Sequence, residues 1–241
     1  MDVPVRYRPL GDRALLIQLE GPLTVALNAR VRALARIIEE ARLPGVEDLI
    51  PAQNSLAVRY DPVRVDYAGL LEAVRGLAVP GGEVEPPPGK TVHIPIVYGG
   101  TWGPDLAAVA QRAGLTEGEV AARHSDRSYV VYMVGFSAGL PYLGDTDPVL
   151  WLPRRATPRL EVPAGSVGIA MNQSVIYTVA SPGGWHIIGR TPMRTFDPYS
   201  EPPSLLVAGD TVRFIPIDPE DAEAWDEARQ AEWDRRWNPW R

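Results

Sequence analysis

A chain of 241 residues, 45% hydrophobic and 22% charged, is long enough for one large domain or two small ones and has an ordinary water-soluble make-up. Its net charge of −6 argues against nucleic acid as the main partner, and no apolar run reaches the length that spans a bilayer, so no membrane role is expected. Without cysteine there is no disulfide, thiolate ligand or cysteine nucleophile, and residues 1–6 lack a basic-then-apolar signal pattern, so a cytoplasmic location is expected.

Residues 12–20 read as a strand after the Gly11 turn. Pro22 and Thr24 introduce an amphipathic helix with Val25, Leu27, Val31, Leu34, Ile37 and Ile38 at helical spacing, stopped by Pro44-Gly45. Residues 46–50 and 55–60 look like strands around the Ala52-Gln53-Asn54 turn. Asp61-Pro62 then leads to a second helix with Leu70, Leu71, Val74 and Leu77 inward. One further strand would complete a split βαβ sandwich with both helices on one face. Residues 91–98 supply that strand or begin the next domain. The Pro/Gly/Glu stretch 79–89 reads as a linker and places a domain at 1–88. Gly89-Lys90-Thr91 imitates the end of a phosphate loop, but Val84 stands where a glycine is needed and a strand follows, so that reading is rejected.

In the second domain, 89–217, Pro104 and Asp105 open a short helix that Gly114 caps. Thr116 and Glu119 have capping-box spacing for a helix ending near His124-Ser125. A strand over residues 128–134 delivers the chain into residues 135–192, where Gly and Pro supply 15 of 58 positions. Such density predicts many fixed turns, and the Arg, Tyr, Trp, Gln and Ser between them are side chains that grip anions and amides. Residues 204–207 and 211–217 read as closing strands. The tail, 218–241, carries eight acidic and four basic residues, and Trp225, Trp233 and Trp237 fall on one side of a helix. It reads either as a helix packed on its own domain or as a docking helix for a partner.

Gly135-Phe136-Ser137-Ala138-Gly139 matches a nucleophile elbow after a strand, with Asp145 or Asp147 and His186 as its partners in order. Pro141 and Gly144 deny it the helix it needs, so a serine hydrolase is not favoured. The three histidines, His93, His124 and His186, have no metal-ligand spacing, and no metal site is expected. Arg154, Arg155, Arg159 and Arg190 form the best anion-binding signal, and the bland alternative pairs each with Asp145, Asp147, Glu161 or Asp197.

Several ordered motifs carry a resemblance. They are Gly135-Phe136, Gly139, Pro141-Tyr142-Leu143-Gly144, Pro153-Arg154, Pro158-Arg159, residues 162–167, Gln173, Tyr177, residues 182–185 and residues 188–191. His93-Ile94-Pro95, Tyr98-Gly99-Gly100 and Pro104-Asp105-Leu106 fit too. The chain thus resembles the KipI/PxpB family, also called the 5-oxoprolinase B subunit or allophanate hydrolase subunit 1, with carboxyltransferase subdomains C and D. The resemblance implies an α+β fold: a small split βαβ-type amino-terminal domain followed by a cyclophilin-like β-barrel. It implies a subunit of an ATP-dependent 5-oxoprolinase, inactive alone, with ATP as co-substrate and with KipA/PxpC-like and LamB/YcsF-like partners. Relatives instead inhibit a sensor histidine kinase or form part of a urea carboxylase. Residue type and motif position then nominate Arg155, Arg159 and Arg190 for anionic charge and Ser166, Gln173 and Tyr177 for the substrate amide. Tyr142 and Trp185 are the expected pocket walls, and Thr191 completes the set. Residues 170–178 depart from the family's Gly/Pro-rich segment, and β-branched Val175 in place of glycine predicts a different backbone course there.

Overall fold

The computed structural model describes residues 4–77 and 89–240, so most of the expected linker lies outside the described residues. The chain divides into two compact units, 1–88 and 89–241.

The first unit runs β1 (Val5–Pro9), β2 (Ala14–Leu19), α1 (Val25–Ala41), β3 (Val46–Pro51), β4 (Ser55–Tyr60) and α2 (Tyr67–Gly76). Its four-stranded sheet has the order β1-β2-β4-β3 with antiparallel neighbours. Strands β2 and β3 therefore run parallel on either side of β4 and are joined by α1, a split βαβ unit. The fourth strand is β1, which precedes the expected elements; residues 91–98 belong to the second unit. Alternation puts Leu15, Ile17 and Leu19 on one face of β2, and Leu56, Val58 and Tyr60 on one face of β4. Leu27, Val31, Leu34 and Ile38 of α1 close over them. Thr24 Oγ1 caps α1 by accepting from the Leu27 N–H at 3.1 Å. Buried Asn28 ties the helix to the β3–β4 turn by donating to the carbonyls of Ala52 and Gln53.

The second unit holds β5 (Thr91–Tyr98), α3 (Leu106–Ala113), α4 (Glu117–Ser125), β6 (Ser128–Val134), β7 (Pro141–Gly144), β8 (Arg159–Val162) and β9 (Ser166–Ala170). It continues with β10 (Gln173–Ile176), β11 (Ser181–Gly183), β12 (His186–Arg190), β13 (Thr211–Pro216), α5 (Pro219–Glu223) and α6 (Glu227–Trp237). Seven strands close a barrel in the order β10-β7-β6-β13-β5-β12-β9, and β8 with β11 forms a separate two-stranded ribbon. Residues 204–207 are not a strand. They contribute one isolated bridge, Phe196 to Ser204, because the Pro202-Pro203 pair lacks the donors a ladder needs. Both halves of the predicted capping box form at α4. Val175 lies in extended β10, where a β-branched residue fits; the positive φ of the β9–β10 hairpin falls on Met171 at 54°.

The tail packs on the barrel. Trp233 Nε1 donates to the His93 carbonyl at 2.9 Å, Trp240 Nε1 donates to the Thr91 carbonyl at 3.0 Å, and fully buried Asn238 exchanges hydrogen bonds with the His93 backbone. Trp233 stands between Trp225 and Trp237, with ring centroids 5.7 Å away on each side. The aromatic stripe therefore faces its own domain. No helix among the described residues is long and apolar enough to cross a membrane.

Candidate active site

Asp105 stands at the position where α3 begins, yet its side chain makes no cap hydrogen bond. Its carboxylate, 4% exposed, is claimed from three other directions. Arg155 Nη1 donates to Oδ1 at 2.8 Å, and Arg159 grips both oxygens at 2.7 and 2.8 Å. The Ile187 N–H of β12 donates to Oδ2 at 2.7 Å. Burial works to raise the pKa of this carboxyl. The hydrogen bonds from Arg159 and Ile187 and the charges of Arg159 and Arg155 outweigh it, and hold the group below the ordinary aspartate value. One carboxylate facing two guanidiniums leaves a net positive charge, so the triad keeps an attraction for anions. The alternative pairing with Asp145, Asp147, Glu161 or Asp197 does not occur for Arg155 or Arg159, because Asp105 reaches both first.

Beside this triad lies an aromatic wall. Trp185, 5% exposed, meets Tyr142 edge-on with centroids 6.0 Å apart. Tyr177 joins them in one apolar cluster with Leu140, Val162, Ala170, Val175 and Ile187. Exposed Arg154 holds its guanidinium 5.4 Å from the Trp185 ring centroid, a cation–π position. Burial raises the pKa of both Tyr142 and Tyr177, opposed in each case by the charge of Arg154, so both phenols are neutral donors at pH 7. The Arg155 N–H donates to the Gly184 carbonyl at 2.8 Å, locking the Pro153–Arg159 loop to the Pro182-Gly183-Gly184-Trp185 turn. A side chain at Gly183 would overlap the Tyr177 hydroxyl. Gly183→Ala is therefore expected to cost about 1–3 kcal/mol by overpacking, measured as a shift in the urea midpoint, with Tyr177→Phe in the same chain relieving part of it.

The remaining nominated residues sit along the β9–β12 pair and in β10. Arg190 pairs in register with Ser166 and stacks its guanidinium 4.5 Å from the Trp102 ring centroid. Gly165 links the two groups, its N–H donating to the Tyr177 carbonyl at 2.6 Å and its carbonyl accepting from the Thr191 N–H at 2.9 Å. Thr191 Oγ1 accepts from the Met193 N–H, a turn contact. Ser166 and Gln173 are both 2% exposed, the first in β9 and the second where β10 pairs with Ala170 and Gly144. The structure thus gathers Tyr142, Arg155, Arg159, Tyr177 and Trp185 with Arg154 and Asp105, and leaves Arg190 with Trp102. Sequence reasoning nominates neither Asp105 nor Trp102 for the site. Asp105 is hidden by its equally good credentials as a helix opener.

The elbow serine is no nucleophile by this geometry. After Phe136, at φ 71°, the chain turns into β7 rather than a helix, and His186 Nε2 is bonded to the Pro153 carbonyl at 3.0 Å. Among the described residues no three His, Asp or Glu side chains converge as a metal site. A cavity of about 900 Å³ lies elsewhere, between residues 192–205 and the tail, and none of the nominated residues lines it.

The sequence matches the family described as carboxyltransferase domain, subdomain C and D, over residues 5–206. It is 43% identical over 209 residues to the B subunit of 5-oxoprolinase from Escherichia coli O157:H7, covering 86% of this chain and 94% of that one. It is 39% identical over 239 residues to the 5-oxoprolinase B subunit of Bacillus subtilis (strain 168), covering 94% and 99%. Among solved structures, TTHA0988 superposes with a TM-score of 0.74 at 37% identity, covering 86% of this chain, which spans 40% of that larger one. The Kluyveromyces lactis urea amidolyase, at 18% identity and a TM-score of 0.77 over 96% of this chain and 17% of that one, shares the fold. On the family match and these identities together, the chain belongs to the family of 5-oxoprolinase B subunits, built on the carboxyltransferase domain, subdomain C and D.

Proposed function

We propose that this chain is the B subunit of an ATP-dependent 5-oxoprolinase, acting with a KipA/PxpC-like and a LamB/YcsF-like subunit to open 5-oxoproline to L-glutamate. The observation that carries the reading is 43% identity across 94% of a protein named for that role. A lactam resists water because its amide is resonance-stabilised. Transfer of the terminal phosphoryl group of ATP to the lactam oxygen makes the carbonyl carbon electrophilic. Water then supplies the new carboxylate oxygen, the C–N bond breaks with the nitrogen taking up a proton, and phosphate departs. The substrate, the phosphorylated intermediate, phosphate and glutamate are all anions, and the cation–aromatic cluster has the chemistry to hold one.

Within the cluster the arginines divide the work. Arg155 and Arg159 are committed to Asp105 and present the net charge of a fixed triad. Arg154 is exposed and stacked on Trp185, so its fork meets the substrate carboxylate or the phosphate. Tyr142 and Trp185 wall the ring and Tyr177 hydrogen-bonds the amide, while Ser166 and Gln173, at opposite ends of the β9–β10 hairpin, stay outside the cluster. Arg190 and Thr191, across the Gly165 turn, serve the second anionic group.

Mixing the chain with both partner proteins, ATP and 5-oxoproline is expected to release glutamate, and omitting any component to abolish it. In the same assay Arg154→Ala raises KM for 5-oxoproline about 10- to 100-fold, the worth of one charge-assisted hydrogen bond. No glutamate from the complete, correctly assembled mixture would sink the reading.

A further inference from the structure

The Trp-rich tail helps form the 900 Å³ cavity noted above, and that cavity has a consistent chemistry. Its apolar surface comes from Phe196, Trp225 and Trp240 together with Pro192, Pro202 and Pro203. Five carboxylates line it, those of Asp197, Glu201, Asp226, Glu227 and Asp234, against two cations, Lys90 and Arg194. Lys90 is drawn to Asp210 at 3.6 Å, and exposed Arg194 reaches Asp197 at 3.4 Å, so each cation has a carboxylate of its own. Helix chemistry explains part of the acidity, since Asp226 caps α6 and Glu227 sits in its first turn. It does not explain Glu201, which projects from the opposite wall, in an exposed loop with no helix to serve. Carboxylates on both walls of an aromatic groove favour a cation between them. The groove already accepts one from its own chain: Lys90 Nζ lies 4.6 Å from the Trp240 ring centroid.

We propose that this groove docks a Lys/Arg-bearing segment of a partner protein. The charged heads lie between Glu201 and Glu227, and the alkyl stems rest on Trp225 and Trp240. A bare metal ion would want convergent ligands, and no three His, Asp or Glu among the described residues provide them. The chain's own linker has the wrong charge, since residues 79–89 contain Glu83 and Glu85 and no cation. The volume is near the upper end of small-molecule pockets, about 300–1,000 Å³, which suits several consecutive side chains. The inference stands apart from the 5-oxoprolinase reading, because it is tested on this chain alone.

The test is calorimetric titration of the full chain with a short, end-blocked peptide alternating lysine and proline, with spermine and a glutamate–proline peptide as separate arms. The lysine peptide is expected to bind, more weakly as salt rises, and the glutamate peptide not to bind. The double variant Glu201→Lys, Glu227→Lys should weaken the lysine peptide roughly tenfold or more. Both residues are exposed, so the variant keeps its fold, which circular dichroism checks. Three outcomes overturn the proposal. They are no binding of the lysine peptide, unchanged binding by the double variant, and spermine binding as tightly as the peptide, which would assign the groove to small polycations.

Discussion

Replacing Asp105 with alanine is expected to destabilise the barrel unit by about 3 kcal/mol, the lower end of the cost of removing one partner from a buried ion pair. The lower end applies because Arg155 and Arg159 are 33% and 27% exposed and recover some hydration, whereas Asp105 itself is buried. The loss has two parts. Two guanidiniums are left facing each other without a counter-charge, and the Ile187 N–H of β12 loses its acceptor. For a unit of this size the melting temperature falls by about 6–12 °C. All seven tryptophans lie at or beyond residue 102, so their fluorescence follows this unit and ignores the amino-terminal one. Arg159→Ala should cost less than Asp105→Ala, since Arg155 still neutralises the carboxylate. Arg155→Ala should cost least, because the two-pronged grip of Arg159 survives it. The reverse order among the three would mean that the triad does not hold the Pro153–Arg159 loop.

That ranking also shows where the sequence can and cannot be read. Alternating apolar residues and cap spacings make β2, α1, β4, α3 and α4 legible, because each depends on neighbours within a few positions. Strand β1 escapes such a reading: only Val5 and Tyr7 of its five residues join the core, so its pattern is weak and its place comes from pairing with β2. The closing strand expected at residues 204–207 fails for the opposite reason, a short apolar run with no partner ladder. At the site, the aromatic and arginine positions stand out by residue type and motif. Their grouping does not. Asp105 lies 50 and 54 residues from its two arginines, and nothing local announces such a contact. The barrel brings them together by pairing β12 with β5 and β9 and laying the start of α3 against it.

The second large effect concerns a histidine without metal-ligand spacing. His124 is fully buried on α4, and the Tyr98 hydroxyl lies 2.6 Å from its Nδ1. Its Nε2 lies 3.0 Å from Ser174 Oγ, which donates onward to the Gly168 carbonyl. With the serine proton used there, Nε2 carries the imidazole proton and Nδ1 accepts from Tyr98. Burial raises the pKa of Tyr98 well above its usual value, so the phenol keeps the proton it donates. Burial also lowers the pKa of His124 to about 3. The sign follows from proton counting: between pH 6.5 and about 3 the unfolded chain binds a proton at His124 that the folded chain refuses. The contribution of the neutral histidine is complete above its unfolded pKa and is lost as pH falls towards the folded one. At pH 5 the loss is about 2 kcal/mol, from one and a half pH units at 1.36 kcal/mol each. Other groups also change protonation on unfolding, so the comparison that isolates His124 is with His124→Asn. That variant should be less stable at pH 7, yet lose about 2 kcal/mol less than the parent between pH 7 and pH 5, by urea titration followed through tryptophan fluorescence. Parallel pH profiles for the two chains would show that the imidazole already carries its proton in the fold. The relay from β5 through α4 to β10 would then have to run the other way.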